Sequence, residues 1–104
     1  MASKRKGFPR RAGTAIRKHS LQRLLLYVGN KRGFSLRVAR QILLACREVA
    51  QKESVTEVPI NEETLLKTRR GRRCVKYLRI NKIKEGIKAM FAPDGSVSNI
   101  FQDE

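Results

Sequence analysis

The chain has 104 residues, with 24 Lys or Arg against 9 Asp or Glu, a net charge of +15 and an isoelectric point near 11.0. This length sets one domain as the expectation and allows a core of only modest size, while no apolar run approaches membrane-spanning length. Self-repulsion at +15 disfavours a compact monomer unless a polyanion neutralises it, so nucleic acid is the first partner to consider and an anionic membrane surface the second.

The charge is segregated along the chain. Residues 1–47 hold thirteen Lys or Arg and no acid. Residues 48–66 carry Glu48, Glu53, Glu57, Glu62 and Glu63 with one base, Lys52, and residues 67–88 are basic again except for Glu85. Residues 1–14, with Gly7, Pro9 and Gly13 among cations, read as a disordered basic arm. Its KRKGFPRR run suits nuclear import or nucleic-acid contact, and MASKRKGFPRRAG lacks the apolar centre of a secretory signal.

A first helix is expected from about Thr14 to Gly29, because Leu21, Leu24, Leu25 and Val28 recur at i, i+3, i+4, i+7. Arg17 and Lys18 fall in its first turn, where unpaired backbone N–H groups attract phosphate. Gly29-Asn30 ends it, and Lys31-Arg32-Gly33-Phe34 forms a basic loop. Ser35 is a fitting N-cap for a second helix from Leu36 to about Lys52. There Val38, Ile42, Ala45 and Val49 form one stripe, and Ala39, Leu43, Cys46 and Ala50 form another. A helix apolar over more than half its circumference belongs at the centre, covered by other helices or by a partner chain.

ESVTEVPI, residues 53–60, breaks the helix with β-branched residues and Pro59. Asn61 then caps a helix NEETLLKTRR that stops at Gly71. RRCVKYLRI reads as a short extended stretch, with Val75 and Tyr77 alternating. Asn81 caps a last helix, KIKEGIKAMF, with Ile83, Ile87 and Met90 or Phe91 on its apolar face. Pro93-Asp94-Gly95 marks a turn. Residues 92–104 form a C-terminal tail whose Ile100 and Phe101 dock or fray.

No enzyme is expected. His19 is the sole histidine and sits among cations, with no nearby acid to complete a triad. There is neither a P-loop nor a GxGxxG, and Glu62 and Glu63 are explained by a helix start. Cys46 and Cys74 lie 28 residues apart without a CxxC pair, which argues against a metal site, and no cofactor is implied. Cys46 reads as a core residue, and two isolated cysteines fit a reducing compartment. The six aromatics, Phe8, Tyr27, Phe34, Tyr77, Phe91 and Phe101, form no stacking platform for single strands. Contact with a duplex backbone is therefore favoured over base stacking.

Ile16-Arg17-Lys18, Gln22-Arg23-Leu24 and Leu36-Arg37, followed in register by Ala45 and Glu48, resemble the corresponding segments of the histone-fold family, closest to core histone three. RINKIKEGIKAMF resembles that family's second loop and last helix more loosely. The resemblance implies an all-α histone fold of short helix, long central helix and short helix over residues 15–91, acting as a dimer. The stretch from Leu36 to Ile80 is several residues longer than the family's, which implies an insertion or kink around residues 53–73. It further implies a divergent member, of viral, unusual-lineage or centromere type, that pairs with another histone-fold chain, its own kind or a different one. Leu24, Val28, Ile42, Leu43, Cys46 and Val49 would form the dimer interface. Arg17, Lys18, Arg23, Lys31, Arg32, Arg37, Arg72, Arg73, Lys76 and Arg79 would bind DNA, with Arg37 reaching into the minor groove.

The function expected on these grounds is duplex DNA binding and compaction through phosphate contacts, without sequence preference, in the nucleus or chromatin, or in the virion for a viral member. Neither a membrane nor a small-molecule substrate is expected as partner. Two rivals stand beside it: a small basic RNA-binding structural protein of ribosomal type, and a histone-fold subunit of a transcription or kinetochore complex.

Overall fold

A computed structural model describes residues 15–29 and 33–103. The expected basic arm and the loop cations Lys31 and Arg32 lie outside the described residues. The element order is α1 (Lys18–Leu25), α2 (Leu36–Glu53), β1 (Glu57–Pro59), α3 (Glu62–Leu65), α4 (Arg69–Arg72), α5 (Val75–Asn81), β2 (Ile87–Phe91) and β3 (Val97–Gln102). This is a mixed α/β chain. The all-α histone fold expected from the sequence is overturned by a three-stranded antiparallel sheet of order β1-β2-β3.

α2 is the axis of the molecule, and its ends follow from local chemistry. Ser35 Oγ accepts from Val38 N at 3.3 Å, which satisfies one of the unpaired amides of the first turn. At the other end Ser54 turns left-handed (φ 53°), and Val55 N donates to Ala50 O at 3.0 Å. Apart from half-buried Val38, both apolar stripes are buried, but α1, α3, α4, β1 and β2 of the same chain cover them. The residues expected at a dimer interface, Leu24, Val28, Ile42, Leu43, Cys46 and Val49, are all at most 5% exposed in this chain alone. They belong to this chain's own core.

α1 is shorter than expected. It begins at Lys18 and gives way at Leu26 to a tight turn, Tyr27 N to Leu24 O at 3.0 Å and Val28 N to Leu25 O at 3.2 Å. Val28 then bridges antiparallel to Ile83, so it closes the molecule instead of extending a helix.

The broken stretch 53–60 holds β1, an edge strand. Pro59 is tolerated there because one side of an edge strand needs no donor. Val58 pairs with Ala89, and Ala89 pairs with Ile100 on the other side. The last expected helix, KIKEGIKAMF, is instead a loop and β2. Ile87, Ala89 and Phe91 are buried in strict alternation, the period of a strand with one face on the core. Gly86, at φ +81°, permits the approach of Asp103, whose N–H donates to Gly86 O at 2.7 Å. The expected tail supplies β3, and Ile100 is fully buried. The Pro93-Asp94-Gly95 turn joins β2 to β3, with Asp94 Oδ1 accepting from Ser96 N at 2.9 Å and Ser96 Oγ at 2.7 Å.

Asn61 caps α3 as expected, accepting from Thr64 N at 2.9 Å. The helix does not run on to Arg70. It ends at Leu66, and Thr68 caps a new helix by accepting from Gly71 N at 2.8 Å. Replacing the Asn61 or the Thr68 cap with alanine should each cost about 1 kcal/mol in urea unfolding; a change under a few tenths would show that the cap does not hold the helix start.

Candidate nucleic-acid interface

The segment expected to be extended, residues 72–80, is helical. α4 and α5 follow one another through Arg73 and Cys74, both in right-handed helical conformation, with Cys74 N bonded to Gly71 O at 2.8 Å and Tyr77 N to Cys74 O at 2.9 Å. These i to i+3 bonds tighten the path without ending it. Gly71, Cys74, Val75, Leu78 and Asn81 face the interior, the i, i+3, i+4, i+7 spacing of a half-buried helix. Arg69, Arg72, Arg73 and Lys76 therefore share the outer face, and all four are exposed.

Two features bring this helix against its neighbours. Gly71 is buried where a Cβ would lie 2.2 Å from Leu65 O, so α4 packs on the end of α3 at backbone contact. Arg70 Nη1 donates to Gln41 Oε1 of α2 at 2.6 Å. On α2, Arg37, Arg40, Gln41, Leu44, Arg47 and the acid Glu48 fall within one face by helical spacing, so the Arg70–Gln41 bond aligns that face with α4. Arg47 Nη1 in turn donates to Gly95 O in the β2–β3 turn at 3.3 Å. Burial, then the Arg70 charge, pull the Arg47 guanidinium below its ordinary range. The cations thus run from α4 across α2 to the hairpin turn.

One acid, Glu48, shares the exposed α2 face with these cations, while three others are taken by cations elsewhere. Glu53 pairs with Lys67 at 2.8 Å, Glu62 with Arg79, and Asp103 with Lys88 at 2.9 Å. Among the described residues no carboxylate pairs with Arg69, Arg70, Arg72, Arg73 or Lys76. Lys76 Nζ stands 5.2 Å from its neighbour's Tyr77 ring, and Arg72 Nη1 reaches Leu66 O at 3.4 Å.

Of the cations expected to bind DNA, Arg72, Arg73 and Lys76 share the α4–α5 face, and Arg37 lies exposed in the first turn of α2. Arg17 and Lys18 are exposed at the start of α1. Arg23 is tied to the sheet, its Nε donating to Ile100 O at 3.2 Å. Arg79 is held by Glu62, and that hydrogen bond raises its pKa while lowering the carboxyl's. Arg40, Gln41 and Arg47 were absent from the expected set. The i, i+3, i+10 recurrence of Arg37, Arg40 and Arg47, opposite the apolar stripes, is the signal that marks them.

Both cysteines are free and buried. Burial, reinforced by the nearby Cys74, pushes the Cys46 thiol from an ordinary 9.0 up to about 12. Among the described residues no three His, Cys, Asp or Glu side chains gather as metal ligands, and no helix is long and apolar enough to cross a membrane. Because the folded pKa of Cys46 is raised, its contribution to stability is complete below about pH 9 and is lost as pH rises toward 12. Urea midpoints should therefore fall across that window, and Cys46→Ala should flatten the fall; an equal slope in the variant would exclude this thiol as the cause.

No family model, curated protein or solved structure matches this chain.

Proposed function

We propose that the protein binds duplex DNA through its phosphate backbone, with the exposed face of α4–α5 as the main docking surface. The observation that carries this reading is the row Arg69, Arg72, Arg73 and Lys76 on the outside of one helical segment, without a carboxylate partner among the described residues. Four cations left together cost self-repulsion, which a polyanion relieves. A helix with a cationic outer face matches the major groove of B-form DNA, which admits an α-helix. The major groove of A-form RNA is too narrow to take one.

Element order supports the same surface. α3, a short turn at Leu66–Thr68 and α4–α5 form two helices joined tightly through Gly71, and a β-hairpin follows. A second helix presented outward from such a pair is a recurrent way of offering side chains to a groove. Arg37 and Arg40 lie beside it and would meet phosphates flanking the groove. Contacts of this kind position a protein without reading sequence.

The test is titration of the full chain into duplexes of unrelated sequence over a range of salt. Six phosphate contacts would give a slope of log K against log salt of about −5, at roughly −0.9 per contact. Affinities should agree between sequences, and duplex RNA should bind more weakly. A slope near zero, or tighter binding to duplex RNA than to DNA, would overturn the reading.

A further inference from the structure

We propose that the pocket between the start of α1 and β3 is a phosphate site that holds one backbone phosphate of the bound duplex. It is a cavity of about 340 Å³ lined by Arg17, His19, Ser20, Arg23, Ser98 and Asn99, together with Val97 and Ile100. Its lining therefore combines two guanidiniums, an imidazole, two hydroxyls and an amide, and no carboxylate.

Three features of the pocket suit an oxyanion. First, α1 begins uncapped. Arg17 is the N-cap, no side chain accepts from the first-turn amides, and no acid stands in that turn. The positive end of the helix is thus open to an outside acceptor. Second, Ser20 is 8% exposed and lines the cavity, and its hydroxyl makes no hydrogen bond among the described residues. The hydroxyl opens on the cavity, where a phosphate oxygen would supply a partner. Third, Arg23 is held in place through Nε on Ile100 O, which leaves its two Nη groups to donate, in the planar fork that suits phosphate.

Asp94 is an opposing charge close enough to feel Arg17. Its Oδ1 is committed to Ser96 N and Oγ, and Arg17 acts on it only as a minor charge, without an ion pair. Val97 and Ser98 in its lining place the pocket beside the β2–β3 turn, where Arg47 meets Gly95. Arg70 and Arg47 thus mark a path from α4 to this turn, beside which the pocket opens. A duplex on α4–α5 would follow that path, and the pocket would take a phosphate at its far end.

That occupant rests on the duplex reading above, whereas the affinity of the pocket for phosphate does not, and two measurements separate them. Inorganic phosphate is titrated into the full chain against chloride at matched ionic strength, and the backbone amides of Lys18, His19, Ser98 and Asn99 are followed by NMR. They should shift saturably. Ser20→Ala, which favours helix and so preserves the fold, should weaken the effect about fivefold through one lost hydrogen bond. Ser98→Glu should abolish it. Absence of a saturable shift, or wild-type behaviour of Ser20→Ala, would overturn the site. In the second arm Arg17→Gln should lower the duplex salt slope by about 1. An unchanged slope would overturn the assignment of the phosphate to the duplex backbone. If the wild-type chain binds no duplex at all, the duplex reading and the occupant fail together, and the phosphate titration still decides the pocket.

Discussion

Gly71→Ala is expected to destabilise the protein by about 2–3 kcal/mol, although alanine is the better helix former. On an open helix the substitution would gain about 1 kcal/mol in propensity. Here the added methyl would lie 2.2 Å from Leu65 O and 2.8 Å from the Leu65 carbonyl carbon and Cα. These are backbone atoms of α3, so no side-chain rotation relieves the clash, and α4 must move away from α3. Overpacking of this kind costs roughly 1–3 kcal/mol and at times more, and the shift also loosens Cys74, Val75 and Leu78 against the core. For a domain of this size each kcal/mol moves the melting temperature by about 4–8 °C, so a fall of about 8–24 °C is expected in thermal unfolding. Gly29→Ala serves as the control, because a Cβ there lies 3.5 Å from Lys82 O, an ordinary contact, and should change little. If Gly71→Ala melts at or above the wild-type temperature, α4 is not seated on α3 as described and the outward placement of the arginine row loses its basis.

Legibility of the fold divides at Ser54. Before it, the decisive signals are local: the double apolar stripe of α2, the Ser35 cap, and the leucine spacing of α1. The likeness to a histone rested on the same stretch, where a leucine-spaced helix flanked by cations leads into a long apolar one. What separates the folds comes later and depends on distant partners. Ile87, Ala89 and Phe91 alternate, while Ile83 and Ile87 sit four apart, so a strand and a helix fit the same residues locally. Pairing with Val58 on one side and Ile100 on the other selects the strand. The helical segment 69–81 was hidden for another reason. Gly71 looks like a helix stop, yet it lies on the buried stripe because close approach to Leu65 requires a residue without a side chain.

The interface divides in the same way. Arg72, Arg73 and Lys76 stand out in any reading of charge. The withdrawal of Arg79 by Glu62, 17 positions away, and the anchoring of Arg23 on Ile100, 77 positions away, are tertiary facts. Likewise the contact of α2 with α4 that brings Arg37 and Arg40 alongside the row depends on Arg70 meeting Gln41 across 29 residues. Only the helical spacing of Arg37, Arg40 and Arg47 was available beforehand, and it shows a shared face without showing what lies opposite.

The combined substitution Arg69→Gln, Arg73→Gln and Lys76→Gln should have the largest effect on binding. Each phosphate contact that releases a counterion contributes nearly tenfold to affinity at about 0.1 M salt relative to 1 M, from a slope of roughly −0.9 per contact. Loss of three should weaken duplex binding by about 10²–10³-fold at that salt and make the slope shallower by about 3. The fold should tolerate the change. All three side chains are exposed and form no ion pair among the described residues, and removing like charges from one face relieves repulsion, so thermal stability should hold or rise. Stability and affinity then move independently, as a docking surface requires and a structural role does not. The comparison is a variant of equal charge carrying Lys52→Gln, Lys84→Gln and Lys88→Gln, none of which lies on the row. If it loses as much affinity, net charge alone draws the DNA and α4–α5 is no docking surface. If instead the triple variant weakens binding to one sequence and spares another, the row reads bases as well as phosphates, and the expected indifference to sequence is wrong.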